Sequence, residues 1–256
     1  MYEHFRMRTY FDINTQFGRS SLARFGEAAT AGDLLTAMDR AGVARAVVWH
    51  PAQVEIYPGE GNTLTTSMIA GEPRLEAAWS LLGPVTNEVV RPDFFTAMAT
   101  AKVRVLRAFP SDHRYLLRRA VMGSFLDEVA RRRIPVLMSL ERGMSFEAIH
   151  QVMADYPDLT CVVCDVGIWG ADRQVWPLLD QYPRLFVETS LVALEAGGIE
   201  AGVRRFGAAR YLYGSSFPAR YFEAPLLDLE HAAIADADKD AIAAGNLERL
   251  LKEVTL

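Results

Sequence analysis

Two charged side chains lie in apolar, strand-forming parts of the sequence and are the first candidates for chemistry. Arg107 belongs to the segment VRVLRAFP (103–110), and Asp165 follows the run TCVVC (160–164). Charges buried in such segments need a partner. The planar guanidinium of Arg107 suits a substrate carboxylate, and Asp165 suits a base or a hydrogen-bond acceptor. A second interpretation, that the two residues pair with each other, is equally open from the sequence.

Histidine and serine side chains are the next candidates. His113 lies in the loop FPSDHRY (109–115) and is a candidate catalytic residue, whereas His50 ends a predicted strand, where a lone histidine is more often structural. Either histidine could activate a serine such as Ser139 or Ser216. The segment GSSFP (214–218) lacks the G-x-S-x-G spacing of a nucleophile elbow, so the sequence does not favour a serine hydrolase.

The elements that position these residues alternate between β-branched runs and segments of helical periodicity. Strands are predicted at Met7–Asn14, Ala44–His50, Leu75–Leu81, Val103–Phe109, Pro135–Leu140, Leu159–Val166, Leu185–Ser190 and Arg210–Gly214. Helices are predicted at Asp33–Arg40, Thr63–Ile69, Pro92–Ala99, Tyr115–Arg132, Ser145–Asp155, Arg173–Gln181, Ile199–Phe206 and Asp238–Lys252. Eight such units favour βαβ connections and a parallel sheet that closes into a barrel.

In such barrels the chemistry lies at the carboxyl ends of the strands. The predicted strand ends carry polar side chains, which either line a wet pocket or hydrogen-bond one another, because buried polar groups need partners. We predict Asp165 and His113 as catalytic residues. The predicted substrate-binding residues are Asn14, Gln16, His50, Arg107, Ser139 and Ser216. Aromatic residues that could form an apolar wall are Trp79, Phe109, Trp169, Phe217 and Tyr221.

Seven segments, in this order, resemble the amidohydrolase superfamily, in particular its amidohydrolase-2-like branch of metal-dependent hydrolases and decarboxylases. They are FDINTQFG (11–18), LLTAMDRAGVARAVV (34–48), VRVLRAFP (103–110), IPVLMS (134–139), LTCVVCDVG (159–167), GSSFP (214–218) and GNLERLL (245–251). The resemblance runs nearly end to end. It implies an α/β fold, a (β/α)8 TIM barrel, formed as a single domain over residues 1–256.

The resemblance breaks at the metal site. Where the family carries Asp-x-His-x-His-x-Gly, this chain reads DINTQFG (12–18). The positions of the family's metal ligands are taken by Asn14, Gln16, Ser139, Asp165 and Ser216. Amide and hydroxyl oxygens are weak ligands for a first-row metal, so we expect no metal and no other cofactor. The three lysines, Lys102, Lys239 and Lys252, favour neither a carbamylated lysine nor a Schiff base.

Composition limits the class of protein. A chain of 256 residues that is 50% hydrophobic can bury one large core. The net charge of −5 and the scattered arginines argue against nucleic acid as a partner, and no apolar segment approaches the length of a membrane span. We therefore expect a cytoplasmic protein whose partner is a small molecule, with homo-oligomers possible.

Cys161 and Cys164 form a C-x-x-C pair in a β-rich run. Because residues three apart in a strand face opposite sides, we predict two core residues and neither a disulfide nor a metal site.

The leading functional prediction is a divergent, metal-independent amidohydrolase-like protein that binds or hydrolyses a small carboxylate, lactone or amide at the mouth of the barrel. Hydrolysis is the reaction that the resemblance implies, but the family's strand-eight aspartate is Ser216 here, which has no basic group. The alternative is a non-catalytic pseudoenzyme that acts as a ligand sensor or an interaction scaffold. A decarboxylase or hydratase is a third option, which would usually draw on the metal.

Overall fold

A computed structural model describes residues 8–21, 26–167, 172–191 and 197–256. Within these ranges eight parallel strands pair in chain order. The strands are β1 (Tyr10–Gln16), β2 (Val43–Trp49), β3 (Leu75–Leu81), β4 (Val105–Ala108), β5 (Val136–Ser139), β6 (Cys161–Cys164), β7 (Leu185–Glu188) and β8 (Tyr211–Leu212). Ile13 N–H donates to the Tyr213 carbonyl at 3.0 Å and Gln16 N–H to the Phe217 carbonyl at 2.8 Å, which joins the last strand to the first. The predicted (β/α)8 TIM barrel is confirmed.

The helices either connect successive strands or, in three cases, follow the last strand. They are α1 (Ala31–Ala41), α2 (Ala52–Glu55), α3 (Pro58–Met68), α4 (Phe94–Thr100), α5 (Arg119–Met122), α6 (Phe125–Arg131), α7 (Phe146–Asp155), α8 (Asp172–Gln181), α9 (Gly198–Phe206), α10 (Glu223–His231), α11 (Asp236–Asp240) and α12 (Asn246–Glu253). Local signals explain several boundaries: Thr30 caps α1 in a capping box, and Ser145 caps α7. In the described part of the chain, no helix is both long and apolar enough to span a membrane.

Several predicted boundaries are wrong, each for a local reason. The helix predicted at 115–132 is two short helices, because Gly123 between them takes a backbone angle φ of +51° that a helix cannot contain. The helix predicted at 238–252 contains a π turn at Ala241–Gly245. Helices α2 and α10 were not predicted. Strand β1 begins at Tyr10 and runs on to Gln16, and Met7, its predicted start, lies outside the described residues.

Two apolar layers hold the barrel together. The interior of the barrel is filled by Phe11, Ile13, Val47, Ala78, Val105, Leu137, Val162, Cys164, Phe186 and Leu212. Leu247, Leu250 and Leu251 of α12 join this interior cluster. The Leu251 carbonyl accepts a hydrogen bond from Arg104, just before β4, at 3.2 Å, so α12 covers the amino ends of the strands. Because α12 lies at the amino ends, it leaves the carboxyl ends of the strands available for a site.

The two cysteines face opposite sides of β6, as the sequence predicts. Cys164 belongs to the barrel interior, whereas Cys161 packs in the outer layer beneath the helices. Both thiols are free and buried. Burial raises the pKa of each thiol, so neither has the thiolate character that reactivity needs.

Candidate functional site

Polar side chains from several strand ends surround a small cavity at the carboxyl end of the barrel. The cavity has a volume of about 20 Å³, enough for little more than one water molecule. Its lining residues are Asn14, Gln16, Trp49, Arg107, Glu141, Arg142, Asp165, Ser216, Phe217 and Ala219. Five of the predicted site residues, Asn14, Gln16, Arg107, Asp165 and Ser216, thus lie together here, and a sixth, Ser139, bonds to Asp165.

Arg107 is a buried cation whose side chain lies among aromatic rings. It is 2% exposed, and its guanidinium carbon lies 4.9 Å from the ring centre of Trp49 and 5.5 Å from that of Phe109. Its Nη1 donates to Asn14 Oδ1 at 2.8 Å, and its Nε is buried with no acceptor among the described residues. No carboxylate of the described residues lies within 4.0 Å of its nitrogens, so the direct pair with Asp165 is not formed. Arg107 therefore keeps donors for a further acceptor.

Asp165 is held on three sides by polar groups. The Ser139 hydroxyl donates to its Oδ2 at 2.5 Å, Asn14 Nδ2 lies 3.4 Å from its Oδ1, and Arg220 Nη1 lies 3.6 Å from the same oxygen. The backbone of Asp165 is left-handed, with φ of +59°, and that of Ser216 likewise, with φ of +58°. Non-glycine residues in this region cost roughly 1–2 kcal/mol and are often found at functional sites.

Glu188 lies next to Asp165 and was not predicted as a site residue, although it ends β7. Its carboxylate accepts hydrogen bonds from the Asp165 N–H at 2.6 Å and from the Ser190 N–H and hydroxyl, both at 2.7 Å. Gly214 leaves it room, since a Cβ there would lie 2.4 Å from Glu188 Oε2. Burial, and then the neighbouring charge of Asp165, raise the pKa of Glu188 to about 7. The only sequence signal was a charge at the end of an apolar strand.

Asp12 supports the site from β1. Its Oδ1 accepts from the Asn14 N–H at 2.7 Å and from the Ser215 N–H at 3.3 Å, so one carboxylate ties β1 to the turn that follows β8. Burial raises its pKa to about 6. The hydrogen bond from the Asn14 N–H to Asp12 fixes the backbone of Asn14, whose side chain reaches Arg107 and Asp165.

Two arginines from loops lie next to the polar strand ends, and one of them, Arg142, lines the cavity. Arg220, in the loop after β8, forms an ion pair with Glu141, in the turn after β5, besides its approach to Asp165. Arg142 Nη2 donates to Gln16 Oε1 at 3.2 Å and its guanidinium lies 5.0 Å from the Trp49 ring. Neither arginine was predicted, because a position in a loop gives no periodicity from which to infer where the side chain lies.

The structure places both predicted histidines outside the cavity lining. His50 Nδ1 accepts the Ala52 N–H at 3.0 Å at the start of α2, and its ring packs edge-on to Phe17. His113 Nε2 is 2.8 Å from the Gln53 carbonyl, to which it donates, and its ring stacks on Tyr115. Burial lowers the pKa of both imidazoles, so both are neutral at neutral pH. Each histidine thus makes a hydrogen bond that stabilises a loop.

The aromatic residues divide between the site and the rest of the molecule. Phe217 lines the cavity, and Phe109 packs on Arg107. Trp79 instead packs on Phe94 of α4, outside the barrel, and Tyr221 is 58% exposed. Trp169 lies outside the described residues. Trp49, which stacks on two arginines, was not predicted.

The donor atoms at the strand ends do not suit the divalent metal that the family resemblance implies. Asn14 Oδ1 is taken by Arg107, and its amide nitrogen faces Asp165 and Glu188. Arg107 and Arg220 bring positive charge to the same place. Among the residues that the structure describes, no three His, Cys, Asp or Glu side chains are grouped so as to hold a metal ion. Asp165, which accepts from the Ser139 hydroxyl and faces amide and guanidinium N–H groups, suits a proton acceptor better than a zinc ligand.

A comparison with protein families and with curated proteins places the chain in a known family. The model of a family described as Amidohydrolase matches residues 26–252. No curated protein matches the sequence significantly.

Solved structures of similar fold cover almost the whole chain. An uncharacterised TIM-barrel protein from Bordetella bronchiseptica has 17% identity and a TM-score of 0.75, covering 96% of this chain and 99% of that one. A 2,6-dihydroxybenzoate decarboxylase from Rhizobium has 15% identity and a TM-score of 0.73, with the same coverage. A putative 2-pyrone-4,6-dicarboxylic acid hydrolase from Pseudomonas putida has 17% identity and a TM-score of 0.71, covering 99% and 100%. At these identities the likeness shows the fold alone.

Proposed function

The chain belongs to the amidohydrolase family, and from that premise we propose that it binds and hydrolyses a small organic carboxylate or lactone at the barrel mouth without a metal ion. The family match supports the reaction class. The substrates named for two structures of the same fold, a dihydroxybenzoate and a pyrone dicarboxylic acid, are both small carboxylates.

The observation that supports the proposal most strongly is the burial of Arg107 without a charged partner among the residues that the structure describes. A guanidinium that is 2% exposed has a neutral amide oxygen as its hydrogen-bonded acceptor, and its Nε has none in the described part of the chain. Removing a cation from water without a counter-ion is costly, and aromatic faces compensate only in part. A ligand carboxylate would supply the missing acceptor and the missing charge. Its planar, bidentate geometry matches the guanidinium fork.

Asp165 is the group we assign to proton transfer. In the hydrolysis of a lactone or ester, a water oxygen bonds to the acyl carbon while its proton passes to Asp165, and the departing alkoxide then takes that proton back. Ser139 and Asn14 hold the carboxylate in place for this exchange. The proposal gives no proton transfer to His113, whose Nε2 is bonded to a carbonyl and whose ring lies outside the cavity lining.

The size of the cavity among the described residues favours the scaffold form of the second candidate, because a ligand sensor needs a pocket just as an enzyme does. Small-molecule sites usually measure about 300–1,000 Å³, far above the 20 Å³ seen here. Binding and hydrolysis must therefore be measured separately.

A thermal-shift screen of small carboxylates, lactones and amides, run with and without added zinc, tests the proposal. A ligand at a hundred times its Kd stabilises the folded state by ~2.7 kcal/mol, which means several degrees in Tm for a domain of this size. We expect a shift with carboxylates that does not depend on zinc, followed by loss of substrate when a hit is incubated with the protein. A shift that requires zinc would contradict metal independence. A shift without turnover would favour the sensor, and no shift with any compound would favour the scaffold.

A further inference from the structure

We propose that Arg220 is a second ligand-binding residue of this site and that Glu141 is an internal carboxylate which occupies Arg220 until the carboxylate of the ligand displaces it. The inference rests on the proposed function, because it concerns how the same carboxylate enters. It makes Glu141 a determinant of affinity and specificity.

The geometry places Arg220 between an internal partner and the site. One nitrogen, Nη2, pairs with Glu141 Oε1, while the other, Nη1, lies 3.6 Å from Asp165 Oδ1. Nη1 is buried and has no hydrogen-bond acceptor among the described residues. A buried, unsatisfied N–H of a guanidinium requires an explanation, and a ligand acceptor beside Asp165 supplies one.

The cavity among the described residues must widen before it can hold a carboxylate with an organic body, because its volume is about 20 Å³. Glu141 and Arg142 both line the cavity and both belong to the short turn after β5, so outward movement of this turn would widen it. Such a movement would separate Glu141 from Arg220, which would keep only its approach to Asp165.

Displacement by a ligand carboxylate leaves Arg220 paired. The guanidinium exchanges one carboxylate for another, and Glu141, whose side chain is partly exposed, is released to water. The pair is also easily broken: the side chain of Glu141 is 44% exposed and that of Arg220 21%, and ion pairs at such positions contribute little to stability. A neutral ligand can offer Arg220 a carbonyl oxygen but no charge, so it competes poorly with Glu141. The pair thus selects anionic ligands.

A purely structural role makes the opposite prediction. If the Arg220–Glu141 pair only ties two loops together, Glu141→Gln loosens the mouth and weakens binding. If Glu141 competes with the ligand, the same substitution frees Arg220 and strengthens binding.

The test compares wild type, Glu141→Gln, Arg220→Gln and the double variant by calorimetric titration with sodium 2,6-dihydroxybenzoate and with sodium benzoate. We expect Glu141→Gln to lower Kd about two- to fivefold, the factor that corresponds to an exposed ion pair, and Arg220→Gln to raise it. In the double variant the gain from Glu141→Gln should disappear. Glu147→Gln on α7, whose carboxylate bonds to Gln151 on the surface, is the matched control and should leave Kd unchanged.

The outcomes separate the inference from the proposed function. Carboxylate binding by the wild type with an equal or weaker Kd in Glu141→Gln overturns the inference and leaves the proposed function intact. Binding by Glu141→Gln alone supports both. Absence of binding in every variant, each shown to be folded by its Tm, overturns both. Benzamide is the neutral probe, and an equal gain for benzamide in Glu141→Gln would also overturn the inference, because it would show a wider mouth and not a freed cation.

Discussion

In the proposed binding mode the ligand depends on Arg107, because the charge of this residue is buried and its donors are only partly satisfied. We predict that Arg107→Ala weakens a carboxylate ligand by more than ~1.5 kcal/mol, or more than about tenfold in Kd, the scale of a hydrogen bond to a charged group. Arg107→Lys should recover only part of the lost affinity, since the ammonium group of lysine does not have the two parallel N–H donors of a guanidinium. Titration calorimetry measures both.

The control for Arg107 is Arg119→Ala, which removes an arginine that pairs with Asp127 on the surface. It should leave ligand affinity unchanged. If Arg107→Ala also leaves affinity unchanged in a folded protein, Arg107 is structural and the proposed binding mode is wrong.

Glu188 links the charge state of the site to the stability of the protein. Its pKa is raised from 4.5 to about 7 by burial and by the charge of Asp165. The folded state therefore holds this proton to higher pH than the unfolded chain, so its contribution to stability is complete below pH 4.5 and is lost as pH rises through 7. We predict that Glu188→Gln becomes more stable relative to wild type between pH 4.5 and 7.5, by an amount on the order of 2–3 kcal/mol.

Urea unfolding of both proteins at several pH values measures the difference between their free energies of unfolding. The contributions of groups that titrate equally in the two proteins cancel in this difference. Glu147→Gln, at an exposed position of α7, should show no such trend. A difference between Glu188→Gln and wild type that does not vary with pH would mean that Glu188 has the same pKa in the folded and unfolded states.

At the residue scale the sequence predicted which strand-end side chains lie close together but not what surrounds them. Asn14, Arg107, Ser139 and Asp165 meet because parallel strands place their carboxyl ends at one edge, a rule that follows from the order of strands and helices alone. The contact between Asn14 and Arg107 joins residues 93 positions apart, and only the closed barrel creates it.

At the scale of elements, the turn from β1 and the start of α2 form one packed unit around His50. Gly18 has φ of +95°, and a Cβ there would lie 2.0 Å from His50 Nε2. We predict that Gly18→Ala destabilises the protein by more than ~3 kcal/mol, because it combines backbone strain with a displaced His50 that loses its bond to the Ala52 N–H.

Gly71→Ala is the matched control for this prediction, since Gly71 has φ of +86° but nothing within 4 Å of the Cβ position. It should cost only the strain, roughly 1–2 kcal/mol. Equal losses in urea unfolding would show that His50 moves aside freely and that its contact with α2 contributes little.

The periodicity of apolar residues predicted the existence of most helices and strands. It failed where the backbone conformation of single residues determines where a helix begins or ends. It placed β3 at its observed residues, because an apolar strand between turns has a clear signal. It missed the break at Gly123, since a single glycine within a helical pattern is compatible with a continuous helix. It missed α2 because four residues are too few to show a period.

At the scale of the whole molecule, the barrel brings cations to the place where relatives of this family are expected to hold a metal. Arg107 enters from β4 and bonds to Asn14, which faces Asp165, and Arg220 approaches Asp165 from the loop after β8. A divalent ion would have to displace or face these guanidinium groups while gaining mostly amide and hydroxyl oxygens, which bind first-row metals weakly. The resemblance of the sequence shows the fold, but the charges that the fold collects here do not match the family's metal.

We therefore predict that treatment with a chelator leaves carboxylate affinity, turnover and Tm unchanged, and that purified protein contains no stoichiometric zinc or manganese. Elemental analysis, followed by titration and unfolding before and after dialysis against EDTA, tests all of this on one preparation. A metal bound only to surface histidines would be removed by EDTA without a change in ligand affinity. Loss of affinity on EDTA treatment, restored by one equivalent of zinc per chain, would show that the strand-end oxygens bind metal despite the arginines, and the binding mode built on Arg107 would then be wrong.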